Sequence, residues 1–313
     1  MPADFDKSPT LVHETLPWRV HIGQSVWDQT WGITINIRPN IDTAPTHPVQ
    51  PRAIGKLSVA FETKADRFAL KTLYQSGSFK ALFPRTAGRD IQLVSVNTAG
   101  GVTGGDRYTT DITVGSGGSV VSTTQAAERA YRAIEGAQGS ITTNLTVQDG
   151  STLAWLPQET ILFDGCNVNR RLTVDLSETA EFLMVEPLVF GRAAMGERLT
   201  HAAFQDHIEI RRSGTPLYLD KMAMAGDIAD QLTGPFTFGA AGAMVSLIYA
   251  SSKAETVLDD IRAMLPATGG ASLINDNLLA LRLLSNDSFD LRQVLIPVLH
   301  RIRNQDLPKP WML

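Results

Sequence analysis

The chain has 313 residues, 43% of them apolar and 19% charged, with a net charge of -4 and a pI near 5.9. That length can bury a sizeable core, and the acidic balance gives no electrostatic reason to expect nucleic acid or an anionic membrane as a partner. The single cysteine, Cys166, excludes an internal disulfide and fits a reducing compartment, and MPADFDKSPT lacks the basic start and apolar core of a secretory signal, so a cytoplasmic location is expected.

Residues 1–54 differ in composition from the rest of the chain, with seven of the sixteen prolines, three of the five tryptophans (Trp18, Trp27, Trp31) and three of the six histidines. They read as an N-terminal extension: Ile33, Ile35 and Ile37 alternate as in one strand, and Pro39 to Arg52 reads as a Pro-rich linker. The remainder, 55–313, is expected to be one domain. From Leu57 the pattern is of short strands: LSVAF, LVSV, YTTDITV, SVVST, SITTNLTV, TLAWL, RLTVDL, AEFLMV, HIEIRR and PLYLD. Glycine- and serine-rich turns (VGSGGS, EGAQGS, VQDGST) separate several of them. Val114, Val147 and Val174 recur roughly thirty residues apart near strand ends, which hints at degenerate coils of a β-solenoid. The longest apolar stretch, Phe238 to Ala250, is too short to span a bilayer as a helix.

Two helices are expected near the C-terminus. Ser252 can cap the first, which runs through Val257, Ile261 and Leu265 to a stop at Pro266. GGASL leads into a strand, Leu278 to Leu284, and a last helix near Phe289 to Arg303 carries a Pro297 that should kink or split it.

The densest local signal is NTAGGVTGGDRY, where Gly100, Gly101, Gly104 and Gly105 precede Asp106. Such a loop is tightly folded. It is not a phosphate cradle, because a strand follows it rather than a helix, and no Lys-Ser or Lys-Thr stands behind the last glycine. Downstream come TTQAAERAYR with Glu128, Tyr131 and Arg132, then LPQETILFDG, then FGRAAMGE with Arg192 and Glu197, then GGASLINDNLLALRLL and a closing LPKPWML. In that order, from about Gly55 onward, these strings resemble the UreD (UreH) family of urease accessory proteins. The long N-terminal extension departs from that family. The resemblance implies a mainly β, irregular β-helical body of two stacked sheet layers.

Read as chemistry, the chain offers little for tight metal binding or nucleophilic catalysis. No histidine pairs with another at the spacing of common zinc motifs, Cys166 stands alone, and no Gly-x-Ser-x-Gly elbow occurs. What remains is carboxylates, for most of which a solvated surface position is the plain reading. Glu186 differs: FLMVEPLVF buries it, so it needs a partner, a proton, a water or a metal ion. Arg129, Arg132 and Arg192 are candidate partners, and a pairing of that kind would make a rigid core network.

The resemblance turns these acids into a mechanism. It implies a non-enzymatic scaffold that binds apo-urease, joins it to a UreF-like protein and through that to a UreG-like GTPase, and passes nickel to the urease active site through an acid-lined tunnel. By motif, the positions carried over are Asp106, Glu128, Glu186 and Asp220, with nickel in transit and no tightly bound cofactor. Carboxylate and water are weak ligands for nickel(II) and suit transit rather than storage. Two alternatives stay open: an adaptor with no metal path, and a β-solenoid carbohydrate hydrolase using paired carboxylates.

Overall fold

The computed structural model describes residues 51–65, 67–85, 88–234 and 236–312. The expected strand at Ile33 to Ile37 and the tryptophans of the extension lie outside them. The fold opens with two hairpins, β1 (Ile54–Lys64) with β2 (Arg67–Gly77) and β3 (Phe79–Leu82) with β4 (Ile91–Asn97). The chain then winds through β5 (Arg107–Val114), β6 (Ser119–Thr124), β7 (Glu128–Ala130), β8 (Gly139–Val147), β9 (Thr152–Trp155) and β10 (Thr160–Leu162). It continues through β11 (Asn167–Leu176), β12 (Glu181–Phe190) and β13 (Ala202–Arg212).

Within this winding, β1, β5, β8, β11 and β13 lie parallel in a seven-stranded sheet. Strands β4, β6, β9 and β12 lie parallel in a second, ten-stranded sheet. The short β7 and β10 branch from this larger sheet, β10 pairing with β12 and β7 with β10, and Val102 bridges to Ala130 of β7. This is an irregular solenoid of about four turns, as expected. Antiparallel strands close its ends: β14 (Thr215–Gly226) pairs with β13, while β15 (Ala243–Ala250), β16 (Gly269–Asn275) and β17 (Leu278–Ser285) extend the larger sheet beyond β12.

Stacking brings equivalent residues of successive coils side by side. One interior row runs Val59, Ile112, Leu145, Val174, Ile210, all buried. The recurrence of valines is real but offset: Val114 pairs with Val147, Val147 with Leu176, and Val174 with Leu145. A shift of two residues keeps each side chain on the same face, so counting by residue type could not reveal it.

Helix α1 (Ile228–Leu232) is a single short turn, and α2 (Ala254–Met264) and α3 (Ser288–Arg303) cover the outer face of the larger sheet. Three expectations need correction. Ser252 does not cap α2: the N-cap is Lys253, with no side-chain cap, and the Ser251 hydroxyl accepts from the Lys253 amide just ahead of the helix. Pro297 does not split α3: it lies on the exposed side, as does Gln293, so the carbonyl it leaves unpaired faces water. GGASL is itself strand β16, paired to β17, rather than a lead-in. The apolar run through Ala250 becomes β15, buried at every position because sheet neighbours flank it and the two faces are covered.

Candidate functional site

A polar seam crosses the space between the sheets, and strand alternation puts it there. In β12, Phe182, Met184 and Leu188 face the first sheet while Leu183 and Val185 face the helices, so Glu186 points inward. Its neighbours across the larger sheet are Ser246 of β15 and then Arg282 of β17. On the opposing sheet one interior row runs Tyr108, Ile141, Arg170, Asp206, and the next runs Thr110, Thr143, Leu172, Ile208, Asp220. The acids and the threonines therefore lie along the solenoid axis.

A cavity of about 340 Å³ follows that axis. Exposed Gly100, Gln125, Ala126 and Arg129 rim it, buried Thr110, Thr143, Trp155 and Thr160 line it, and Arg170 with Glu186 ends it. Past that pair a cleft of about 10 Å³, room for roughly one water, is lined by Asp206, Asp220, Ser246 and Arg282.

The Arg170 guanidinium joins the two spaces and is nearly enclosed. Its Nη1 donates to Glu186 Oε2 at 2.6 Å and to Thr160 Oγ1 at 3.2 Å, while Nε and Nη2 grip Asp206 at 3.0 and 2.6 Å. The second oxygen of Glu186 accepts from the Trp155 indole at 2.8 Å. Burial alone would lower the guanidinium, but Asp206 and Glu186 outweigh it and hold it above its ordinary value. Burial likewise pushes the Glu186 carboxyl up, against the pull of Arg170.

At the rim, Glu128 receives the Asn97 side-chain amide on both oxygens, at 3.1 and 3.2 Å. Desolvation raises its pKa to about 7 despite that donor. Asp106 is buried elsewhere, with Oδ1 taken by the Ala53 amide at 2.8 Å and Oδ2 by the Thr103 amide at 2.9 Å, and it lines neither space. It locks the glycine loop. In that loop Gly105 takes a positive φ of 90°, and at Gly101 a Cβ would stand 2.3 Å from the Tyr131 ring. Gly100 rims the cavity and Gly104 packs on Ala133 and Ala137.

The structure thus brings Glu128, Glu186 and Asp220 to one axis and sets Asp106 apart from it. Asp220 is ion-paired to Arg282. None of the three arginines weighed as partners reaches Glu186. Arg132 pairs with Asp164 at 2.8 Å, Arg192 with Glu197 at 2.8 Å, and Arg129 is exposed at the rim. These pairs belong to an outer corner where distant motifs meet: the Tyr131 ring packs edge-on against Phe163, and the Arg192 guanidinium lies over the same Phe163 ring, 4.2 Å from its centroid. Cys166 packs in the core, and burial pushes its thiol up to about 11. Among the described residues no three ligand-type side chains converge to hold a metal ion, and no helix is long and apolar enough to cross a membrane.

Sequence reasoning missed Arg170, Asp206, Trp155 and Gln158. Parity was the available signal. Arg170 shares its strand face with Val168, Leu172 and Val174, and Asp206 shares one with Phe204, Ile208 and Ile210, so both charges sit at core positions.

Comparison with known proteins agrees with the motif order. A family model described as "UreD urease accessory protein" matches residues 53–312. The chain is 50% identical over 245 residues to the urease accessory protein UreD of Ruegeria pomeroyi, covering 78% of this chain and 95% of that one. It is 48% identical over 265 residues to that of Roseobacter denitrificans, covering 84% and 96%. For Rhizobium rhizogenes the figures are 40% over 275 residues, covering 87% and 99%.

Proposed function

This chain belongs to the UreD family of urease accessory proteins, and on that premise we propose that it is a non-enzymatic scaffold through which nickel passes to apo-urease. Urease maturation is the process it supports. In this reading it binds apo-urease, meets a UreF-like protein that recruits a UreG-like GTPase, and works in the cytoplasm. Nickel is its cargo, with no resident cofactor.

The observation that carries the proposal is the axial cavity, open at Gly100 and Gln125 and ending on the buried Glu186. An ion crossing a low-dielectric body needs compensating charge at intervals, and Glu128, Glu186 with Asp206, and Asp220 supply it in series. Threonine hydroxyls between them offer weak oxygen contacts that replace hydration water without creating a trap. A competing reading, an adaptor with no metal path, draws on one specific observation: Glu186 and Asp220 are each ion-paired to an arginine, as in a purely structural network. The hydrolase alternative needs two carboxyls facing across a groove, whereas the close pair here, Glu186 and Asp206, is buried around Arg170.

Plugging the cavity separates conduit from adaptor. Thr143→Phe fills the lined space between the sheets. Cells lacking their own UreD-like protein would receive wild type, Thr143→Phe or Glu186→Gln, with complex assembly followed by pull-down and urease activity read at limiting nickel. The conduit predicts normal assembly with activation lost in Thr143→Phe and strongly reduced in Glu186→Gln. Full activation by an assembled Thr143→Phe complex would leave only the adaptor.

A further inference from the structure

We infer that Arg170 is the gate of this passage: its guanidinium occupies the carboxylate pair, Glu186 and Asp206, that a divalent cation must use to cross. The inference rests on the conduit reading. Its basis is position, because Arg170 and Glu186 are the residues shared by the large cavity and the small cleft beyond it. A cation moving from Glu128 toward Asp220 therefore meets the guanidinium in its path.

Charge decides the outcome of that meeting. A dication and a guanidinium repel strongly where water is excluded, so they cannot share the pair. With Arg170 in place and both acids ionised the cluster carries a net charge of -1. With a dication in its place the pair and its guest carry zero, so the exchange leaves neither acid uncompensated. The acids do not move, because Glu186 is pinned by the Trp155 indole and both lie on strands inside the sheets. The mobile part is the long arginine side chain.

The structure also provides somewhere for it to go. Nη1 already donates to Thr160 Oγ1, on the wall of the large cavity, so a rotation toward that side keeps a hydrogen bond while releasing Asp206. The buried side-chain nitrogen of Gln158, on the same wall, has no partner, which marks this space as polar and able to receive a guest. Asp220 repeats the arrangement one step on, closed by Arg282, whose Nη2 also donates to Ser246 at 3.2 Å. An acid occupied by an arginine is thus the resting state at each step past the cavity, and an idle passage is shut to stray cations.

The test is nickel binding to the full-length chain, read by competition with a chromophoric chelator, for wild type, Arg170→Met and Arg170→Lys. Near-ultraviolet circular dichroism and elution volume check that each variant is folded. Removing the guanidinium frees the pair, so Arg170→Met should bind one nickel at least tenfold more tightly than wild type. A lysine keeps the charge but loses the fork, and should give a smaller gain of about threefold. Adding Glu186→Gln to either variant should cancel the gain, which excludes adventitious histidine sites. Arg170→Lys carries the test by itself if Arg170→Met does not fold. A folded variant that binds nickel no better than wild type, or whose gain survives Glu186→Gln, overturns the gate. The conduit fails separately: activation by Thr143→Phe refutes passage through the cavity whatever the affinity of the Arg170 variants.

Discussion

Glu128 at the cavity rim gives a prediction whose sign is set by the structure. Its folded-state value of about 7 stands above the ordinary 4.5, because desolvation outweighs the Asn97 donor. Between those values the folded chain holds a proton that the unfolded chain has released. Stability contributed by this group is therefore fully present below about 4.5 and is lost as the pH rises through 7. At 1.36 kcal/mol per pH unit the gap is worth at most about 3–4 kcal/mol. The carboxyl is only partly enclosed, so solvent screening brings the expected figure to about 1–2 kcal/mol. Glutamine cannot titrate. Urea unfolding of wild type and Glu128→Gln, followed by circular dichroism at pH 5 and pH 8.5, should show the variant gaining about 1–2 kcal/mol relative to wild type between the two conditions. Taking the change with pH removes any constant cost of losing one acceptor for Asn97. A difference that stays the same at both values, or moves the other way, would refute the argument that burial controls this carboxyl.

Substitutions at three further positions test the frame around the cavity. Trp311 is fully buried, donates to the Leu156 carbonyl at 3.0 Å and lies 4.9 Å under the Arg292 guanidinium, so Trp311→Ala should cost about 3–5 kcal/mol in urea unfolding. Trp311→Phe should recover most of that and leave about 1–2 kcal/mol for the orphaned carbonyl. In the glycine loop, Gly101→Ala would drive a methyl into Tyr131 and the Arg129 carbonyl and should destabilise by about 1–3 kcal/mol, whereas Gly270→Ala, with open space around it, should lie within about 0.5 kcal/mol of wild type. Equal melting curves for the two glycine variants would remove close approach as the reason for the loop's composition.

Much of the fold was legible because alternation and turn chemistry are local. YTTDITV, SITTNLTV and RLTVDL carry their own period of two, and the glycine- and serine-rich segments between them could only be turns, so strands β5, β8 and β11 were readable one at a time. The burial of Glu186 was legible for the same reason, since its immediate neighbours are apolar. Weaker local signals failed. Strand β15 looks like any apolar run, and β7 and β10 are three residues each, held by neighbouring coils rather than by their own pattern.

By itself, then, the sequence determined the solenoid's strand content, the burial of one acid and, through the order of its motifs, the family. The tertiary structure alone decided which partner that acid has. Arg170 and Glu186 are sixteen residues apart and on different sheets, and Asp206 lies thirty-six beyond Arg170. Their meeting depends on how many residues each coil spends on its turns, which sets the register of one coil on the next. No local pattern encodes that sum, because each turn contributes only its own length, while packing of the interior rows selects the one register that buries them all. The same register lines the threonines and acids along one axis and sets Asp106, whose motif looked equally functional, to holding a loop.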